Sequence, residues 1–455
     1  MKDWKHDLSL RVVKILDLIL ITIPFAICWY YYYANHTAAF FAANARRYII
    51  ILYVLLFFIF GRVYDAFLIS YNPLSEMVYS QVLAALIADG LIYLVICLLC
   101  KGLQPLWPGI LAIAGQVLLA FLWAAAAHRW YFHFFPPKTT YIVYDMRSGV
   151  DILIHEYGLT KKFNVKKVLP VSEVIQNVDV LADAEEVFLS GVHSHDRNVI
   201  IKYCTANDIN SLVIPRIGDV MMTGAKKMHI LHLPVFLVQR YNPTPEYLLI
   251  KRLFDILLSS FAIIVTSPIL LVTAILIRRD GGPVFYTQER LTKDGRKFRV
   301  IKFRSMRVDA EKDGVARLST GDNDDRITPV GRVIRKVRID ELPQMFNILK
   351  GEMSIVGPRP ERPEIAEEYE KEMPEFRLRL QCKAGLTGYA QVYGKYNTTP
   401  YDKLMMDLMY ISSPGIVEDM RIMFATVKIL FMGDSTEGVA EGQTTALGNE
   451  KEDRE

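Results

Sequence analysis

The sequence predicts a chain in three parts: a multi-pass α-helical membrane region, a parallel α/β domain, and a mixed, mainly helical domain that opens with a re-entrant membrane helix. Three observations carry this reading. Hydrophobic residues make up 52% of the 455, and the mean hydropathy is positive at +0.20. Four long apolar runs crowd the chain before residue 136. Another, far downstream, is interrupted in its middle by Ser267-Pro268. At about 150 residues per domain the length allows roughly three units, and the apolar content excludes a disordered chain. The five cysteines (Cys28, Cys97, Cys100, Cys204, Cys382) are few, odd in number and scattered, which excludes a disulfide-stapled secreted module. Cys97 and Cys100 form a CxxC inside an apolar run and read as packing residues. The net charge of +4 does not point to nucleic acid; where the charge sits matters more.

The four leading runs are Ile15–Tyr33, Tyr48–Tyr71, Gln81–Cys100 and Gly109–Phe135. Each is near the ~20 residues that a helix needs to cross a ~30 Å hydrocarbon layer. The first lacks a signal-peptide cleavage site and three more follow, so residues 1–136 read as a four-helix transmembrane region. Aromatic residues crowd the run ends, Trp29 to Tyr33 and Trp130 to Phe135, as at membrane interfaces. Lys2, Lys5, Arg11 and Lys14 favour a cytoplasmic N-terminus, and four crossings return the chain to that side; Arg46 and Arg47 would then lie outside. Of the ionisable residues inside the runs, Asp17 is expected at the interface and Arg62 beside Asp65, with Asp89 the remaining one.

Residues 137–241 alternate short apolar stretches with helical patterns. The strand candidates are Thr140–Tyr144, Val165–Leu169, Glu186–Leu189, Ser211–Ile214 and Pro234–Val238, with helices such as Asp196–Asn207 and Gly218–Ile230 between them. This pattern predicts a Rossmann-like α/β domain. A dinucleotide site there needs G-x-G-x-x-G after the first strand, where the chain has Tyr144-Asp145-Met146-Arg147-Ser148-Gly149. The cofactor motif is absent, and a structural or regulatory role is expected. His193 and His195 are expected at its surface, and the nine histidines show no metal-ligand spacing.

Residues 242–432 form the third part, with a re-entrant helix over 249–279. Its apolar run Ile256–Ile277 has 22 residues, about 33 Å of helix, enough to span. Pro268 argues otherwise, because it removes a helix hydrogen bond mid-run and leaves halves of roughly 18 and 15 Å. Lys251 and Arg252 precede the run and Arg278 and Arg279 follow it, which fits two ends on one cytoplasmic face. Arg278–Arg307 then carries ten Lys or Arg against three Asp or Glu, suiting anionic head groups at about 1 kcal/mol per basic residue, and phosphate-bearing substrates. Downstream, Arg335-Lys336-Val337-Arg338-Ile339-Asp340-Glu341 sets two adjacent carboxylates after three cations. By spacing alone Asp340 reads as a cap opening a helix through Leu342–Leu349. In Gly357-Pro358-Arg359-Pro360 the prolines stiffen the backbone of Arg359, which suits an Arg presented to a phosphate. Tyr401–Ile411 and Asp419–Phe431 are candidate membrane-surface helices. Asp322-Asn323-Asp324-Asp325 has a D-x-D look but reads as a polar loop, and residues 433–455 read as a disordered tail.

Further blocks accompany these motifs in order: KRLFD (251–255), the Ser-Pro break, GPVFYTQER (282–290), KFRSM (302–306), DDRITPVGRVIRK (324–336), DELPQMFNILKGEMSIVGPRP (340–360) and AGLTGYAQVYG (384–394). Together they resemble the bacterial sugar transferase family, the polyprenyl-phosphate glycosyl-1-phosphate transferases, in its long, undecaprenyl-phosphate hexose phosphotransferase-like form. The resemblance runs from Lys251 to about Phe431, and the blocks show no departure from the family pattern.

The resemblance implies a monotopic catalytic domain on the cytoplasmic face of the bacterial inner (cytoplasmic) membrane. It implies transfer of a sugar 1-phosphate from a UDP-sugar to undecaprenyl phosphate, releasing UMP, to initiate exopolysaccharide, capsule or O-antigen type glycans. The family's nucleophile falls on Asp340 and its metal-binding Glu on Glu341, with Mg²⁺ as cofactor. Its phosphate-side cations fall on Lys302, Arg335 and Arg359, with Pro358 and Pro360 as the frame and Ser267 and Pro268 as the helix break. Membrane lipid is an implied partner, as is a second copy in a homodimer. Two rival readings remain: a glycosyltransferase using Asp322–Asp324 and releasing UDP, and a non-catalytic membrane assembly protein.

Overall fold

The computed structural model describes residues 2–36, 43–279, 281–307, 326–394 and 398–430. The D-x-D stretch and the expected disordered tail lie outside them. The chain divides into two compact units, Met1–Pro215 and Arg216–Glu455.

The first unit begins with helices α1 (Lys2–Tyr31), α2 (Ala43–Val63), α3 (Leu74–Leu99) and α4 (Trp107–Phe134). By length and composition α1, α3 and α4 are candidate membrane spans; α2, shorter and bearing Arg46, Arg47 and Arg62, is outside that set. On α1, Ile15, Ile19, Ile23 and Ile27 are exposed, while Ile21, Phe25 and Trp29 are buried. A helix apolar on both faces has helices on one side and lipid on the other. Asp17 is fully buried among the helices, and Gln81 Nε2 of α3 donates to its Oδ2 at 3.3 Å. Gln116 Nε2 of α4 donates to Tyr53 OH at 2.8 Å and to Asp89 Oδ1 at 3.5 Å, linking α4 to α2 and α3. Without water, polar groups inside a helix bundle find one another, and these pairs do so.

The chain continues through β1 (Lys138–Tyr144), α5 (Val150–Glu156), β2 (Phe163–Pro170), α6 (Val171–Gln176), β3 (Glu186–Ser190), α7 (Ser194–Ala206) and β4 (Asn210–Ile214). The four strands form a parallel sheet in the order β2-β1-β3-β4. The period-two alternation of β-strands divides its residues between two faces. Tyr141, Val143, Val187 and Leu189 pack with Val174, Ile200 and Cys204 from α6 and α7, while Ile142 and Phe188 pack with Val150 and Ile154 of α5.

The second unit opens with α8 (Ile217–Thr223) and the antiparallel hairpin β5 (Lys226–Ile230) and β6 (Leu233–Leu237). Two expectations are corrected here. The helix expected over Gly218–Ile230 ends at Thr223, and Pro234–Val238 pairs with β5 instead of joining the parallel sheet. The reason is the turn: Leu231 and His232 both adopt left-handed φ, 52° and 65°, the geometry of a tight two-residue hairpin.

Helix α9 (Pro245–Arg279) runs 35 residues through Pro268. Pro268 cannot donate to the Ile264 carbonyl, and Ser267 Oγ donates to that oxygen instead, at 2.7 Å. The start of α9 is fastened by side chains. Lys251 Nζ donates to Asp419 Oδ2 at 2.8 Å, Arg252 donates to the Ile348 and Leu349 carbonyls at 2.7 Å each, and Asp255 accepts from Ile355 N at 2.9 Å and Ser354 Oγ at 3.1 Å. Lys251 and Arg252, read above as a cationic flank, therefore serve internal contacts. At the other end Ile277 packs with Phe303 and Ile334. Between these ends Leu257, Phe261, Ile264 and Leu271 are all more than half exposed.

The remaining elements are β7 (Phe285–Leu291), β8 (Lys297–Phe303), α10 (Pro329–Lys336), α11 (Gln344–Lys350), β9 (Ser354–Val356), α12 (Pro363–Glu372), β10 (Gly385–Thr387), α13 (Tyr389–Tyr393), α14 (Pro400–Ser412) and α15 (Ile416–Leu430). β7 and β8 form an antiparallel hairpin, and β9 and β10 a short parallel pair. The two candidate membrane-surface segments turn their apolar faces inward. Leu404, Met405 and Leu408 of α14 and Ile422 of α15 lie in one core with Val220, Val356 and Phe376.

Candidate active site

Thr328 Oγ1 accepts from Gly331 N at 2.9 Å and caps α10, with Pro329 in its first turn. The chain reverses at Arg338, a non-glycine residue at φ 54° and ψ 23°, a conformation that concentrates at functional sites. One 3₁₀ turn, Ile339–Glu341, then presents Asp340 and Glu341. Asp340 does not cap the next helix, because Pro343 has no amide hydrogen and regular bonding starts only at Gln344.

The second of these carboxylates is committed to cations. Lys302 Nζ of β8 lies 2.8 Å from Glu341 Oε1, the Arg359 guanidinium 3.1 Å from the same oxygen, and the Arg338 guanidinium 3.8 Å from Oε2. Burial opposes the charge on Glu341, but Lys302 and Arg359 outweigh it and hold this carboxyl well below the usual range. Asp340 makes no hydrogen bond or ion pair with the described residues. Burial, with the neighbouring Glu341 charge, pushes it up to about 6 against the pull of Lys302, Arg335 and Arg338. Lys302 is lowered by burial despite Glu341, and Glu341 raises Arg359.

The structure thus brings together Asp340, Glu341, Lys302 and Arg359, with Arg335 on α10 near enough to act on Asp340. Pro358 and Pro360 flank Arg359 after β9. Gly357 precedes them because a Cβ there would overlap the Lys383 carbonyl oxygen. Ser267 and Pro268 belong to the middle of α9, where Ser267 Oγ bonds the Ile264 carbonyl. Two residues outside the expected site set also shape it. Arg338 carries the reversal. Asn347, fully buried, accepts from Ile301 N at 3.0 Å through Oδ1, while its Nδ2 donates to Arg299 O at 2.8 Å and Glu352 Oε2 at 2.6 Å. It fastens the strand of Lys302 to the helix that follows Asp340. No local pattern marks a mid-helix Asn for this.

Among the described residues no three His, Cys, Asp or Glu gather as a metal site. The donor chemistry suits Mg²⁺ only in its substrate-sharing mode, with one or two carboxylates supplemented by phosphate oxygens. Glu341 fits that mode through Oε2, since both close cations are on Oε1.

A family model described as bacterial sugar transferase matches residues 246–433. The exopolysaccharide production protein PSS of Rhizobium leguminosarum bv. phaseoli is 42% identical over 190 residues, covering 94% of that protein and 40% of this chain. The chain belongs to the bacterial sugar transferase family. Two larger members are also similar to it. The UDP-N-acetylgalactosamine-undecaprenyl-phosphate N-acetylgalactosaminephosphotransferase of Aeromonas hydrophila is 42% identical over 195 residues, 42% of this chain and 46% of that protein. The UDP-glucose:undecaprenyl-phosphate glucose-1-phosphate transferase of Klebsiella pneumoniae is 42% identical over 183 residues, 39% of each chain. The match spans less than half of these two bacterial sugar transferases.

Proposed function

We propose that the chain transfers a sugar 1-phosphate from a UDP-sugar to undecaprenyl phosphate through a covalent intermediate on Asp340, and so initiates a surface glycan of the exopolysaccharide, capsule or O-antigen type. The observation that carries this reading is the contrast between adjacent carboxylates. Glu341 is paired through Oε1 with Lys302 and Arg359, whereas Asp340 is desolvated, unpartnered among the described residues and surrounded by Lys302, Arg335 and Arg338. A carboxylate nucleophile facing an anionic phosphorus needs such an arrangement.

Asp340 attacks the sugar-side phosphorus of the donor. The bond from that phosphorus to the bridging oxygen breaks, and its electron pair leaves on UMP. An oxygen of undecaprenyl phosphate then attacks the same phosphorus and releases Asp340 as the carboxylate. Lys302 and Arg359 neutralise the non-bridging oxygens, and Glu341 holds both in place before substrate arrives. Mg²⁺ bound by Glu341 and diphosphate oxygens would add charge neutralisation.

The acceptor's tail stays in the bilayer, so the site must lie at the membrane surface. We read α9 as re-entrant, dipping into one leaflet from the cytoplasmic side. Support comes from its ends, both fastened to the same unit, and from its exposed apolar middle. A spanning helix would carry one end across the membrane. We read the sheet order β2-β1-β3-β4 with helices on both faces as a Rossmann-like domain of structural or regulatory role.

The test is nucleotide release by the detergent-purified full chain with undecaprenyl phosphate, Mg²⁺ and a panel of UDP-sugars. UMP that disappears with Asp340→Asn is the expected result; UDP in its place rejects the mechanism.

A further inference from the structure

We propose that Arg379 and Arg290 are positioning residues for Arg359, gripping the main chain of its Pro-Arg-Pro segment from behind so that the guanidinium meets the transferring phosphate in one fixed pose. The inference rests on the role given to Arg359 above.

Pro358 and Pro360 have no amide hydrogens, so their carbonyls are the only main-chain hydrogen-bonding groups they offer. Four successive carbonyls of this segment each receive a donor, two of them from the neighbouring residues Arg290 and Leu291 at the end of β7. Gly385 N donates to Pro358 O at 2.8 Å, Arg379 NH2 to Arg359 O at 2.9 Å, Arg290 NH1 to Pro360 O at 3.2 Å and Leu291 N to Glu361 O at 3.0 Å. The segment is neither helix nor strand, so its shape comes from these four donors. Two of them are side chains.

Arg379 is only 5% exposed. It meets Asp407 Oδ2 at 2.9 Å through Nε and at 2.6 Å through NH2, with Glu361 Oε1 3.9 Å from NH1. A buried Arg–Asp pair adds little stability over apolar residues of the same volume. It does supply a rigid fork of N–H donors, and the fork points at the carbonyl of the one residue whose side chain works in the site. Arg290 is steadied in turn by Gln288, whose Oε1 lies 2.8 Å from its NH2. Lysine in either place would carry the charge but lose the planar geometry.

The test uses the full chain in lipid nanodiscs with a UDP-sugar and undecaprenyl phosphate, and reads the rate of nucleotide release. A misplacement of about 1 Å at a reacting group costs about 100-fold, so Arg379→Lys should lower kcat by about that much while KM for the donor changes less. The pair Arg379→Met with Asp407→Leu removes both buried charges at once, which keeps the core neutral, and should lose the same activity. Because Arg379 acts through Arg359, adding Arg379→Lys to Arg359→Ala should cause no further loss. Multiplying losses, or wild-type turnover by the charge-free pair, would overturn the proposal. Hydrogen exchange at the Gly357, Arg359, Glu361 and Arg362 amides provides a readout independent of turnover. Arg379→Lys should speed it locally, and unchanged exchange would overturn the clamp. If the wild-type chain releases no UMP, or Asp340→Asn does not abolish release, the transferase reading is what fails, and the exchange experiment alone decides the clamp.

Discussion

Asn347→Asp is the sharpest perturbation of the scaffold beneath the site. The substitution changes one NH2 to an oxygen. It keeps the acceptor for Ile301 N, loses the donor to Arg299 O, and places a second carboxylate where Nδ2 now lies 2.6 Å from Glu352 Oε2. Two unit charges at that separation repel by about 6 kcal/mol at an effective dielectric of 20. The pair escapes by binding one proton, at about 1.4 kcal/mol for each pH unit above a carboxyl pKa of ~4, hence about 5 kcal/mol at pH 7.5 and about 1.4 at pH 5. Glu352 is partly exposed, so solvent reduces both figures. The orphaned Arg299 carbonyl adds ~1–3 kcal/mol at either pH. The sign follows from a folded-state pKa raised above its unfolded value: the penalty is absent below the unfolded pKa and grows as pH rises. In thermal unfolding of the detergent-solubilised chain, the variant should melt well below wild type at pH 7.5, with a deficit that shrinks by about half or more at pH 5. A deficit independent of pH, or none at pH 7.5, would refute the bridge between β8 and α11.

Other outcomes follow from the same geometry. Lys251→Met should strip Asp419 of its cation and cost roughly 3–5 kcal/mol in unfolding measurements, while adding Asp419→Leu should recover most of it. Glu341→Gln should retain the fold but reduce nucleotide release by 100-fold or more, since Lys302 and Arg359 lose the anion that orients them. Single cysteines at Glu246 and Arg279, in a chain whose native cysteines are replaced, should both react with an impermeant thiol reagent only from the cytoplasmic side; labelling of either from outside rules out the re-entrant helix.

The sequence made the apolar helices and the parallel strands readable because each is a local pattern: long apolar runs in one case, short runs between turn residues in the other. β6 shows the limit. Leu-Pro-Val-Phe-Leu reads like a buried strand, yet a non-glycine turn at Leu231 and His232 folds it back on its neighbour. α14 and α15 show another, since one amphipathic face suits a membrane surface and a protein core equally, and here it meets Val356 and Phe376. Asp340 by spacing alone looked like a helix cap; the ordered blocks around it pointed to the nucleophile. Arg379 and Asn347 were not legible because the contacts that tie them to the site, Arg359 O and Ile301 N, are 20 and 46 residues distant, and nothing in their immediate neighbours announces such pairings.

The position of α8 decides where the chain can be cut. Val220 lies in the same core as Leu404, Leu408 and Ile411, and Ile217 and Tyr241 pack against it. An excised piece starting at Tyr241 would leave part of that core open to water, whereas one starting at Arg216 carries its own seal. The natural unit of transplantation therefore begins about 30 residues earlier than the start of α9 suggests.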